Sequence, residues 1–118
     1  MTANGDDVRA VALSLPETRE LLEWNMPTFR VKGKLFLTLP ESETSMAVRC
    51  PIADRDELVR SEPHKFWIAT HEAYNAWVRV RLATLDDREE LEAIILDSWR
   101  QAAPRQLVEE HAADGSAG

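Results

Sequence analysis

Two short runs do most to limit what this chain can fold into. Phe29-Arg30-Val31-Lys32 continues through Gly33 to Leu37, and Trp77-Val78-Arg79-Val80-Arg81-Leu82 lies later in the chain. Both alternate apolar and basic side chains. An extended chain sends successive side chains to opposite faces, so each run presents one apolar and one charged face. That is the pattern of an antiparallel sheet buried on one side and solvated on the other.

The neighbouring segments fit the same plan. Lys32-Gly33 marks a β-hairpin whose second strand is Lys34 to Leu39. Thr18 to Trp24 fits either a short strand or a turn of helix, and Pro16 before it and Pro27 after it favour strand. Met46 to Cys50 reads as a further strand stopped by Pro51, and Phe66 to Ala69 as a short apolar one. Glu41 to Thr44 and His71 to Ala76 read as loops.

A first helix is expected from Asp6 or Asp7 to about Leu13, with Val8, Val11 and Ala12 on one face. A second, capped by Asp54, runs from Arg55 to about Arg60 with Leu58 and Val59 inward. The strongest helix starts at Asp86-Asp87, where Leu91, Ile94, Ile95, Ser98 and Trp99 recur at helical spacing. Pro104 opens a last helical segment with Leu107 and Val108 inward. Strands arrive in consecutive runs instead of alternating with helices. The expected fold class is therefore α+β, an antiparallel sheet. Residues 1–118 read as a single domain, with 1–5 and 112–118 as loose tails.

Size and composition agree with one core. A chain of 118 residues with 44% hydrophobic and 30% charged residues is ordinary for a globular domain. The only cysteine, Cys50, excludes an intrachain disulfide and a thiolate metal cluster. The first residues lack the basic region of a signal peptide, and no apolar run approaches the roughly 20 residues that span a bilayer. A reducing cytosol and no membrane association are expected.

The sequence offers no enzyme site. His64, His71 and His111 lack metal-ligand spacing. Cys50 has no base near it in sequence, and there is no glycine-rich phosphate loop. Asp86-Asp87 and Glu89-Glu90 stand where helix capping and the helix dipole call for acids. No cofactor and no catalytic residue are expected.

At this point the residues carry a resemblance. Ala12-Leu13-Ser14-Leu15-Pro16-Glu17, Trp24-Asn25-Met26-Pro27-Thr28-Phe29-Arg30-Val31 and Gly33-Lys34-Leu35-Phe36 come first. Trp77 to Leu82, Asp97-Ser98-Trp99-Arg100 and Ala103-Pro104-Arg105 follow. In this order and spacing the chain resembles the MmcQ/YjbR family of small bacterial proteins, over about residues 6 to 110. The resemblance implies a two-layer, frataxin-like sheet packed on one face by helices. It also implies a DNA-binding role, with no accepted reaction and no agreed catalytic residue.

Charge decides how that role is read. The net charge is −7 and the pI about 4.9, which globally opposes binding to a polyanion. The distribution is uneven. Arg30, Lys32, Lys34, Arg49, Arg79 and Arg81, six of the 14 basic residues, fall in strands without acids. Arg and Lys are also common on any exposed sheet face, where they discourage edge pairing. Trp24, Trp67, Trp77 and Trp99 each adjoin an apolar pattern and are expected in the core. Trp77, beside Arg79, is the candidate for stacking on a base.

The leading expectation is a non-catalytic binding module contacting DNA or another polyanion through Arg30, Lys32, Lys34, Arg79 and Arg81, with Trp77. The alternatives are a protein–protein or regulatory domain, and a small-ligand pocket between the hairpin and the C-terminal helix lined by Trp24, Trp77 or Trp99.

Overall fold

The computed structural model describes residues 3–40 and 43–117. The element order is α1 (Gly5–Leu13), β1 (Thr18–Glu23), β2 (Met26–Val31), β3 (Lys34–Thr38), β4 (Ser45–Arg49), α2 (Ile52–Ser61), β5 (Phe66–Trp67), β6 (Trp77–Arg81), α3 (Arg88–Ala102) and α4 (Arg105–Ala117). Six strands form one antiparallel sheet in the order β1-β2-β3-β4-β6-β5. Helices α1 and α3 pack on one face of the sheet, which makes the α+β architecture expected from the strand clustering.

Register shows which residues meet on the buried face. Phe29 opposes Leu37, Leu37 opposes Val48, Val48 opposes Val78, and Met46 and Phe66 both oppose Val80. All are nearly or wholly inaccessible, and Leu91, Ile95 and Trp99 of α3 cover them. A buried indole needs a partner for its N–H. Trp99 Nε1 donates to the Pro16 carbonyl at 3.2 Å, fastening α3 to the chain entering β1.

Both hairpin turns are two-residue loops with left-handed backbone. Lys32 and Gly33 have φ of 51° and 83°, as the turn signal in the sequence predicts. Trp24 and Asn25 join β1 to β2 with φ of 50° and 64°. Asn tolerates that region, and a bulky Trp rarely enters it.

Between β2 and β3 the register slips. Phe29 pairs with Leu37 but Arg30 pairs with Leu35, leaving Phe36 as the extra residue of a bulge. The bulge explains a run that alternation cannot: Phe36 and Leu37 are both fully buried, while Leu35 turns to the opposite face. Beyond the last β3–β4 pair, Leu37 with Val48, those two strands are bridged from α3. The Ser98 hydroxyl donates to the Phe36 carbonyl and accepts the Arg49 N–H at 2.9 Å.

Several local expectations need correction. Asn4 caps α1, with Asp7 completing a capping box, so Asn4 belongs to the fold, and Ala3 is buried. Met1 and Thr2 lie outside the described residues. Helix α2 starts at Ile52, three residues earlier than expected, so Asp54 lies in its first turn instead of capping it. Pro27 lies within β2, not beyond a strand end. Helix α4 runs on to Ala117 through most of the segment read as a loose tail; Gly118 is outside the described residues, as are Glu41 and Ser42 of the polar loop.

A candidate anion-binding face with an aromatic groove

The helix-free face of the sheet is ordered in transverse rows. One row runs Leu21, Thr28, Thr38, Ala47, Arg79, Trp67 across all six strands. Beside it runs a second: Arg19 opposes Arg30, Arg30 opposes Leu35, and Arg49 opposes Trp77. Arg49 Nε closes that row by donating to the Leu35 carbonyl at 2.6 Å. Arg81 lies in a third row, opposite Ser45. Five arginines thus project from one side of an acidic protein, and their partners decide which of them an anion can use.

Two of the five are engaged by carboxylates. Arg30 makes a forked contact with Glu23, at 2.8 Å and 3.2 Å, and also donates to the Gly33 carbonyl. This Arg30 contact, helped by a hydrogen bond from Thr28, holds the Glu23 carboxyl below its ordinary pKa. Arg79 grips Glu72 with two 2.9 Å bonds and is mostly covered.

The other three have no carboxylate within ion-pair distance among the described residues. Arg19 is exposed on the edge strand. Arg49 lies 5.2 Å from the centre of the Trp77 ring, and burial lowers its pKa. Arg81 lies 4.3 Å over Trp67 and donates to the carbonyls of Pro63 and His64. A guanidinium held by a ring face and carbonyls is fixed in place with no carboxylate partner among the described residues.

The two lysines expected in this set sit elsewhere. Lys32 occupies the β2–β3 turn, not the strand, and its ammonium is 3.8 Å from Glu17. Lys34 is exposed but opposes Val31, one register position away from the Arg30 row. Strict alternation through Lys32 therefore placed it wrongly, because the chain leaves the strand at Val31.

Between the β1–β2 turn and the segment leading into β6 the same face is hollowed into a groove of about 360 Å³. Trp24 and Trp77 supply aromatic walls, Thr38 and Ala47 a floor of small side chains, and Glu72 and Asn75 a polar wall. This placement corrects the expected pocket. Trp99 is fully buried under α3, so the cavity lies on the opposite side of the sheet from the C-terminal helices. It also corrects the expectation that all four tryptophans are core: Trp24 is 66% exposed, and Trp67 and Trp77 are half-buried on the helix-free face.

The polar wall is held by a residue that no sequence pattern singles out. Arg55 of α2 is 4% exposed and donates to the carbonyls of Glu72, Ala73 and Asn75, the last at 2.7 Å. A buried arginine with backbone partners orders a loop that has little packing of its own. Its signal in the sequence, a lone basic residue in the first turns of an acidic helix, is too common to be specific.

Other chemistry-bearing groups are structural. Lys65 is buried among Glu90 at 2.6 Å and Glu62 at 3.2 Å, contacts that raise its pKa and tie β5 to α3 and the end of α2. Burial, with Asp54 and Asp97 adding to it, pushes the Cys50 thiol up to about 11, so it stays protonated and a poor nucleophile at neutral pH. Among the described residues no group of three or more His, Cys, Asp or Glu is placed to hold a metal, and no helix is long and apolar enough to cross a membrane.

Comparison with known proteins places the whole arrangement in context. The family model described as YjbR matches residues 13–101. A protein of Mycobacterium tuberculosis and another of Mycobacterium bovis, both described as uncharacterized, are each 32% identical over 124 residues, spanning 91% of this chain and 94% of the relative. A Deinococcus radiodurans protein with a DUF419 domain superposes with a TM-score of 0.73 at 19% identity, over 85% of this chain and 78% of that one. A Pseudomonas syringae protein superposes with a TM-score of 0.63 at 19% identity, over 85% and 99% of the two chains. At such identity the two structures bear on the fold alone.

Proposed function

The chain belongs to the YjbR family, and from that premise we propose that it is a non-catalytic binding module that holds a nucleic acid, as a polyanion, on the helix-free face of its sheet. The observation that carries this reading is the set Arg19, Arg49 and Arg81: exposed or ring-supported guanidiniums on one face, with no carboxylate partner among the described residues. They take the role of phosphate contacts. Arg30 and Arg79, engaged by Glu23 and Glu72, shape the face instead. Phosphate contacts of this kind position a strand without reading its sequence.

The net charge of −7 makes the reading demanding. With about three phosphate contacts, log affinity falls with log salt at a slope of about −2 to −3, so binding is strong only at low salt. Anisotropy of labelled DNA, titrated at several salt concentrations, tests the proposal. The double variant Arg49→Gln/Arg81→Gln is expected to bind more weakly and to flatten the salt slope by about 2. Absence of wild-type binding at about 50 mM salt, or superimposable curves for the two proteins, rules the reading out.

A further inference from the structure

We infer that the groove between Trp24 and Trp77 is a seat for one unpaired nucleobase, so that the strand held on this face is single-stranded. The inference rests on the function proposed above and names its ligand more closely.

Four features of the groove converge on that occupant. Its walls are aromatic, and every base offers a flat π-face to an indole. Its volume of about 360 Å³ lies at the low end of the roughly 300–1,000 Å³ of small-molecule pockets, suited to one ring system. Its floor is shallow-rooted: Thr38 and Ala47 occupy positions where larger side chains would fill it. On its polar wall the Asn75 side-chain amide has no hydrogen-bond partner among the described residues, leaving a donor and an acceptor for a base edge.

Charge complements the shape. Arg49 lies against the Trp77 ring, so a phosphate drawn to Arg49 delivers its own nucleoside to the groove. A base within a duplex is stacked on both faces and cannot enter a walled groove without leaving the helix. Backbone conformation gives an independent pointer. Trp24 is 66% exposed and held at φ 50°, where turn chemistry favours Asn or Gly. Strain kept at an exposed residue that packs little is characteristic of a binding position.

The test uses four labelled ligands with the full chain at low salt: a single strand, its duplex, the same single strand made abasic, and a mononucleotide. The single strand is expected to bind about tenfold tighter than duplex or abasic strand and to quench tryptophan fluorescence. Ala47→Leu, which fills the floor beside Arg79 and leaves the phosphate contacts Arg19, Arg49 and Arg81 unsubstituted, is expected to reduce single-strand affinity to the duplex level. Trp24→Gly, at an exposed turn that does not endanger folding, is expected to weaken single-strand binding about tenfold.

Equal binding of single strand, duplex and abasic strand, with dependence on Arg49 and Arg81 intact, overturns the base seat and leaves the polyanion reading standing. Mononucleotide binding that needs Trp24, without oligonucleotide binding, keeps the seat for a free nucleotide and overturns the polyanion reading. No binding of any of the four overturns both.

Discussion

The hydroxyl of Ser98 donates to the carbonyl of Phe36, 62 residues earlier in the chain, and also accepts the backbone N–H of Arg49 at 2.9 Å. One buried side chain from α3 thus bridges β3 and β4 just beyond their last ladder pair, Leu37 with Val48, at the residue that bulges from the β2–β3 pairing. The same bulge turns Leu35 toward the groove and buries Phe36 beside Leu37. The shape of the proposed binding face therefore depends on a hydrogen bond made on the other side of the sheet.

Ser98→Ala is expected to destabilise the protein by about 2–3 kcal/mol. It leaves a carbonyl and an N–H unsatisfied in a site that water does not reach, and each such loss costs about 1–3 kcal/mol. Urea unfolding should show a lower midpoint with an unchanged slope. A change below about 0.5 kcal/mol would mean that β3 and β4 satisfy the Phe36 carbonyl and the Arg49 N–H without Ser98.

Trp24→Asn is expected to stabilise the protein by about 1 kcal/mol. Asn suits the left-handed turn that Trp occupies at a cost, and little burial is lost because the indole is 66% exposed. Thermal unfolding of the two proteins side by side checks the sign. A lower midpoint for the variant would show that Trp24 packing outweighs its backbone cost.

Arg55→Met is expected to loosen the groove's polar wall before it affects the hairpins. The substitution keeps most of the volume but takes the Arg55 donor from the Ala73 carbonyl and leaves the Glu72 and Asn75 carbonyls with one backbone donor each, at about 1–3 kcal/mol. Hydrogen exchange should accelerate at the amides of Asn75 and Trp77, with β1 to β3 little changed. Uniform acceleration through the sheet would contradict a local role for Arg55.

Glu23 sets a pH dependence of known sign. Its folded pKa is depressed, first by the Arg30 contact and then by Thr28. Its contribution to stability is therefore full above the unfolded value near 4.5 and is lost as pH falls through the lower folded value. Carboxyl NMR should place the Glu23 midpoint below 4.5, and Arg30→Met should return it toward that value. An unshifted midpoint in the wild type would mean that the Glu23–Arg30 fork is open in solution.

Much of the architecture could be read in advance because it rests on local rules. Alternation marked β2 and β6, the Lys32-Gly33 pair marked the hairpin turn into β3, and Asp87 does cap α3 by accepting the Glu90 N–H. The binding residues were less legible. Alternation tells which side of a strand a residue faces, not what stands opposite it. Whether Arg30 and Arg79 are free depends on Glu23 and Glu72, each seven residues away and brought near only by chain reversal.

By itself, then, the sequence determined the fold class, the antiparallel strands with one solvated face, and the set of basic residues from which a binding surface can be drawn. Only the tertiary structure decided that Lys32 leaves that face at the turn and that Trp24 and Trp77 share one groove while Trp99 is buried. It also decided that Arg49 and Arg81 stand against aromatic rings with no carboxylate partner among the described residues. The physical reason is range: alternation and turn chemistry act between near neighbours, whereas ion pairing, burial and the bulge depend on strand order and on what α2 and α3 bring across the sheet.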